Sequence, residues 1–305
     1  MKQPNIVVVG SMNMDIVVKT SRFPGGGETI LGDELHFISG GKGANQAVAL
    51  ARLGAQVTMV GAVGLDSFGR TLMTAMADNG VNCDYIKITE QASTGTASIT
   101  LTPDENNIVV VPGANTKLEA RDVKQVETLI QAADAVLLQL EVPLATVEYA
   151  AALAEKHGKF VILNPAPARP LPESLLRRVH VMTPNRTELE ALTGIDLDER
   201  PLEEAVDKLL DSGVHCVVTT LGSEGSLWKR RDGSLQRQSA YRMEVVDTTG
   251  AGDAFNAGLA YDISADRGIG DAVAFAAKVS GLAVTKFGAQ DGMPTMADVE
   301  TYFHE

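Results

Sequence analysis

Residues 245–258 read VVDTTGAGDAFNAG. A β-branched pair leads into a loop of threonines and glycines, and the loop opens a helix predicted over 253–264. Asp247 stands before the loop and Asp253 just after it. Successive amides at a helix N-terminus form an anion site, and glycine lets a phosphate approach the backbone closely. A carboxylate in that place is either a helix N-cap or a base that takes the proton of a hydroxyl attacking the phosphate in line. The glycines of Gly250-Ala251-Gly252 favour the second reading, a phosphoryl-transfer site.

Outward from this loop, short β-branched runs alternate with Ala-rich helical patterns. Strands are predicted at 6–10, 57–64, 135–140, 160–164, 179–184 and 216–222, and helices at 43–53, 67–79, 120–131, 145–157, 186–193 and 202–211. Continuous apolar strands need cover on both faces, so the class is α/β with a mostly parallel sheet and helices on each side. Two segments break the rhythm as hairpins with Gly, Pro or Asn at their turns, 15–37 and 94–112. They predict a small β lid, formed by about 14–38 and 94–112, on a single domain spanning 1–305. Such a lid would sit over the strand ends, where open α/β sheets bind ligands.

With 39 acidic against 26 basic residues the chain carries −13, which disfavours nucleic acid and anionic membranes as partners. Its two cysteines, Cys83 and Cys216, sit in unrelated contexts, consistent with a reducing cytoplasm. The apolar run in MKQPNIVVVG is too short for a signal peptide, and no stretch reaches the length of a membrane span. A soluble cytoplasmic protein is expected. The five histidines lack metal-ligand spacing, and Cys216 reads as core. A Walker A loop is absent because Gly41-Lys42 is followed by Gly43 and Gly158-Lys159 by Phe160.

Polar groups also gather where apolar ones would pack better. Asn13 and Asp15 follow the first strand and share a side if extended, although a local turn would use the same residues. Gly41, Lys42 and Asn45 open a helix, where Lys42 opposes the dipole. Glu141 ends a buried strand, as a binding group or as a solvated strand end. Asn185 and Glu188 fit a capping box, and Thr220-Leu221-Gly222-Ser223-Glu224-Gly225 fits a hairpin corner.

DTTGAGDAFNAG, together with GGKGANQAVALARLG at 40–54, resembles the two signatures of the ribokinase-like (phosphofructokinase-B) carbohydrate kinases, in family order and with similarity along essentially the whole chain. The resemblance implies a three-layer α/β/α sandwich with a β lid, and transfer of the ATP γ-phosphate to a sugar hydroxyl. Asp253 would be the base and the amides of Ala251, Gly252 and Asp253 the anion hole. Asn13, Asp15, Gly41, Lys42, Asn45, Glu141 and Asp253 would bind the sugar, which favours D-ribose phosphorylated at O5. Deoxyribose, another sugar or a nucleoside is the alternative acceptor, and a non-catalytic sugar- or nucleotide-binding regulator is the rival from another class.

The same resemblance implies ATP contacts from Asn185, Thr220, Gly222, Ser223, Gly225 and Gly252, with Glu188 supporting Mg²⁺ through water. It places a K⁺ site at Asp247, Thr249, Ala283, Lys286 and Gly288, and a homodimer through the lids. Three residues depart from the family pattern: Arg186 stands where an acid is commoner, Ala277 where Asn or His often faces adenine, and Gly292 where a Ser reaches K⁺.

Overall fold

A computed structural model describes residues 2–103 and 105–304. Asp104, in the turn of the second predicted hairpin, and the terminal residues of the 1–305 span lie outside the described residues. Among the described residues, thirteen strands form two sheets. In chain order they are β1 (Asn5–Val9), β2 (Asn13–Lys19), β3 (Glu34–Gly40), β4 (Gln56–Gly64), β5 (Asn82–Thr89), β6 (Gly95–Leu101), β7 (Asn106–Val111), β8 (Ala135–Leu138), β9 (Phe160–Leu163), β10 (Val181–Met182), β11 (Cys216–Thr220), β12 (Ser226–Arg230) and β13 (Gln236–Gln238).

The large sheet runs β13-β12-β11-β10-β9-β8-β1-β4-β5 and is parallel from β11 to β5, with β12 and β13 antiparallel at one edge. Side-chain alternation along β1 explains the layering. Ile6 and Val8 join one apolar cluster, with the helices Lys42–Arg52, Ala251–Ser264 and Ile269–Ala283, while Val7 and Val9 join another, with Leu144–Lys156, Arg186–Thr193 and Leu202–Asp211. A strand that buries both faces this way must be apolar throughout, which is what made β1, β4 and β8 readable. Each fully buried aliphatic side chain contributes about 1.5–3 kcal/mol.

From β1 the chain first builds β4 and β5 on one side, then returns to build β8 to β11 on the other. The order therefore reverses between β1 and β8, and the crevice beyond the carboxyl ends of those strands is the expected ligand position. Segments that leave β1, β8, β9, β10 and β11 all end there.

The small sheet runs β3-β2-β6-β7. Both predicted hairpins form, β2 with β3 and β6 with β7, and a parallel β2–β6 pairing joins them. Other expectations shift in detail. The helix predicted over 120–131 is two short helices, Ala120–Lys124 and Glu127–Ala132, with Val123, Val126 and Ile130 all fully buried. The strand predicted at 179–184 is regular only over Val181 and Met182, and Thr183 lines the crevice.

Candidate active site

The glycine loop turns into its helix earlier than predicted. The helix is Ala251–Ser264, with Gly250 as its N-cap at φ 80°, a left-handed conformation that glycine adopts without strain. Asp253 is thus the third helical residue and not the N-cap. Ala251, Gly252 and Asp253 supply the first-turn N–H groups, of which Ala251's also donates to the Thr248 carbonyl at 3.2 Å.

Asp253 is 6% exposed, and both of its oxygens are held by side-chain amides. Asn45 Nδ2 donates to Oδ2 and Gln46 Nε2 to Oδ1, each at 2.9 Å. Both donors stand in the first two turns of Lys42–Arg52, whose N-cap, Gly41, has φ 89°. A small polar cavity of about 120 Å³ opens beside the carboxylate, lined by Lys42, Asn164, Thr183, Asn185, Glu188, Thr220, Gly250, Gly252 and Asn256 with Asp253 itself. No hydrocarbon side chain plugs it. A larger open depression of about 440 Å³, lined among others by Glu173, Arg177, His215 and Arg231, lies at the other, amino-terminal end of β11. Its guanidinium groups are engaged, Arg177 with Glu173 and Arg231 with the carbonyls of Leu210 and Val214.

On the lid side, Asn13 and Asp15 do point to one face of an extended strand. Asn13 Oδ1 accepts from Asn115 Nδ2 at 2.8 Å, and its NH₂ has no hydrogen-bond partner among the described residues. The Asp15 carboxyl makes no hydrogen bond among the described residues. Burial, then the neighbouring charges of Glu141 and Asp253, push its carboxyl up to about 7. A half-hidden acid with like charges and no donor is a poor structural element and a good ligand group.

Glu141 has a structural part as well. Its Oε2 accepts from Ser11 Oγ and from the Lys42 N–H at 3.1 Å, so it caps the positive end of Lys42–Arg52. Its other oxygen has no hydrogen-bond partner among the described residues. Burial works against the Lys42 ammonium, but the carboxylates of Asp253, Glu141 and Glu188 outweigh it and hold its pKa above the usual lysine value.

The capping box at Asn185 forms: Asn185 Oδ1 accepts from the Glu188 N–H at 2.8 Å and Glu188 Oε2 from the Asn185 N–H at 2.9 Å. Both residues also line the cavity. Burial raises the Glu188 carboxyl, opposed by the Asn185 N–H and by Lys42. Arg186 turns away to Asp198 at 2.7 Å. Thr220 bridges to Asn185 and reaches the cavity, whereas Gly222, Ser223 and Gly225 stand on the turn beyond it and outside its lining.

Asp247 ties two loops together. It accepts from the Gly288 N–H at 2.9 Å and from the Thr249 N–H and hydroxyl at 2.9 and 2.7 Å. Burial opposes its charge, but these donors hold its carboxyl below the usual range. Ala283 ends the helix Ile269–Ala283, where carbonyls have no helical partner. A Cβ on Gly292 would stand 2.6 Å from the Ala283 carbonyl oxygen and 3.6 Å from that of Lys286. The two oxygens crowd the space that a serine at 292 would need.

Several site residues were not predicted. Ser11, Gln46, Asn115, Gln139, Asn164, Thr183 and Asn256 are buried polar groups that hold the others in place. Thr183 Oγ1 donates to Asn256 Oδ1 at 2.5 Å, and Asn256 Nδ2 to the Gly252 carbonyl at 2.9 Å. The available signal was a glutamine inside an apolar run, Gln46 in NQAVAL and Gln139 in AVLLQL. Cys216 is buried as expected, its thiol pushed up to about 12 by burial.

Comparison with known proteins agrees with this geometry. Residues 3–296 match the model of the pfkB family carbohydrate kinases. The chain is 40% identical to the ribokinase of Haemophilus influenzae, over 95% of each sequence, and 35% identical to the deoxyribokinase of Salmonella typhi, over 98% of each. The structure of Arabidopsis thaliana ribokinase complexed with ribose and ATP superposes with a TM-score of 0.90 at 35% identity, covering 98% of both chains.

Proposed function

Because the chain belongs to the pfkB family of carbohydrate kinases, we propose that it transfers the γ-phosphoryl group of ATP to O5 of D-ribose, giving ribose 5-phosphate and ADP. One observation carries the assignment of the chemistry. A buried carboxylate, clamped by two amides, lines a polar cavity together with Gly250 and Gly252 at the N-terminus of its own helix, which supports a base set beside anion donors.

Asp253 takes the proton of the attacking hydroxyl as the O–P bond forms, and ADP leaves in line. The amides of Ala251, Gly252 and Asp253, with Lys42, receive the charge that develops on the transferred group. Asn13, Asp15, Gly41, Asn45 and Glu141 bind the sugar hydroxyls. A pocket built to satisfy each hydroxyl rejects an analogue that lacks one. Asn185, Thr220, Gly222, Ser223, Gly225 and Gly252 hold the nucleotide, and the lid keeps water from the γ-phosphate.

No three acidic, histidine or cysteine side chains converge on one metal position among the described residues. Mg²⁺ would be carried mainly by ATP phosphates and water, with Glu188 as a protein carboxylate beside it. When bound, Mg²⁺ supplies positive charge to the phosphates. K⁺ suits the loop of Asp247, Thr249, Ala283, Lys286 and Gly288, where carbonyls at a helix C-terminus and a low-lying carboxylate favour a cation. Exposed Leu35, Phe37 and Ile108 to Val111 on the lid support a homodimer through that sheet. No helix among the described residues is long and apolar enough to cross a membrane.

The test is ADP release measured with ribose, deoxyribose, other pentoses, hexoses and nucleosides under identical ATP and Mg²⁺. The highest kcat/KM is expected with ribose. A preference for deoxyribose would move the acceptor assignment, and no ADP with any acceptor would leave a binding protein.

A further inference from the structure

Gln46 is fully buried, contributes nothing to the cavity lining, and touches Asp253 directly. Its amide sits at the centre of a directional network. Nε2 donates to Asp253 Oδ1 at 2.9 Å and to Asn164 Oδ1 at 3.2 Å, while Oε1 accepts from Gln139 Nε2 at 2.6 Å. The orientation is dictated from one end. An ionised carboxylate only accepts, so Gln46 must turn its NH₂ toward Asp253. Its oxygen then faces Gln139, which must present an NH₂ in turn.

The other end of this chain is unfavourable. Gln139 Oε1 is buried with no hydrogen-bond partner among the described residues. It lies against Gly10, where even a methyl group would come within 1.9 Å of it. Turning the Gln139 amide over would free that oxygen but set two acceptors against each other at the Gln46 contact. A buried carbonyl without a donor costs stability, so the fold keeps a disfavoured atom at the end of β8 and so keeps the amide row aimed at Asp253. Gly10 and Gln139 directly follow the two strands between which the sheet order reverses, so the row ties the carboxylate to that end of the sheet.

We propose that Gln46, oriented by Gln139, is a positioning residue that fixes the Asp253 carboxylate for proton abstraction. This rests on the kinase reading above. Asn45 holds the other oxygen but is also placed in the sugar set, which leaves Gln46 as the ligand-independent clamp. With one oxygen tied to each amide, the carboxylate plane cannot rotate. The charged groups facing Asp253 are Lys42, Glu188 and Asp15.

Two variants test it, with wild type and Asp253→Asn as controls. Gln46→Met keeps the volume and removes the donor. Gln46→Glu keeps the shape and the oxygen that accepts from Gln139, and serves as the near-isosteric second variant. For Gln46→Met, kcat for ribose should fall about 10²-fold, the cost of an ill-placed reacting group, while the ribose Kd from calorimetry stays near wild type. For Gln46→Glu, two carboxylates share one proton, and the acid limb of the kcat–pH profile should move up by about one unit or more. Native kcat and an unmoved profile in the Glu variant would overturn the proposal, as would a kcat loss matched by an equal loss of ribose binding. A wild type that makes no ADP from ribose would overturn the kinase reading instead, and is seen in the control alone.

Discussion

Asn45 Nδ2 lies 2.9 Å from Asp253 Oδ2, joining the first turn of Lys42–Arg52 to the first turn of Ala251–Ser264. The contact links the chain's two glycine-rich signatures, so each explains the other: one supplies the carboxylate, the other its amides. Asp253→Asn should therefore fold, since one neighbouring amide can turn over to meet the new NH₂. Its kcat should drop about 10²–10⁴-fold, the usual worth of a general base. Steady-state kinetics beside a thermal melt checks both halves, and a near-native rate would remove Asp253 from the mechanism.

Asp15 makes a pH prediction. Its carboxyl stands at about 7 in the fold against 3.8 for an ordinary Asp, because of burial and the charges of Glu141 and Asp253. A folded value above the unfolded one means that stability is fully present below pH 3.8 and is lost as pH rises through 7. Asp15→Asn never takes on the charge. Its melting temperature should match wild type near pH 4 and exceed it above pH 7, by a stability difference on the order of 2–4 kcal/mol. The same variant should raise KM for ribose, since an acceptor has become a donor. Stability gained with affinity lost marks a group kept for binding. Equal melting curves at pH 8 would show that Asp15 is already relieved by a partner.

How much of this was legible follows from where each signal resides. β1, β4 and β8 were readable because both faces are buried and the apolar runs are unbroken. The helices Arg186–Thr193 and Leu202–Asp211 match their predicted limits, each bounded by a cap or a proline. β12 and the short edge strand β13 were missed because SLWKR and QRQ carry little apolar pattern. Asp253, Asn45 and Glu188 were visible because their neighbours are glycines or caps. Gln46 and Gln139 were not, since their meaning lies in a contact between residues 93 apart in sequence. A buried amide is read from its partner, and periodicity does not reveal partners.

The lid offers an oligomerisation test. β7 is exposed along its whole length, with Val109 at 64% and Val110 at 50%. Residues on both faces of an edge strand cannot be satisfied by packing onto one core. Val109→Lys should leave the melting curve of the main sheet in place and shift sedimentation from dimer toward monomer. A single species of unchanged mass in wild type and variant would end the proposal that this surface is an interface.

Packing behind the site sets a last constraint. Gly258 lies five residues after Asp253 on the same helix, where Ile269–Ala283 crosses. A Cβ at 258 would stand 2.9 Å from Ala276 Cα and 3.1 Å from Val279 Cγ2. Backbone cannot yield as a side-chain tip can, so Gly258→Val must push the two helices apart. Overpacking of this kind costs about 1–3 kcal/mol. In a domain of this size that is a fall in Tm of roughly 2–5 °C. Five residues of helix set position 258 about 7.5 Å from 253 along the helix axis, so the displacement reaches the base only if the helix moves as a rod. Loss of Tm with kcat intact would show that the Asn45 and Gln46 clamps hold Asp253 while its helix tilts. Loss of both would show that the small-residue seam between the two helices sets the position of the carboxylate.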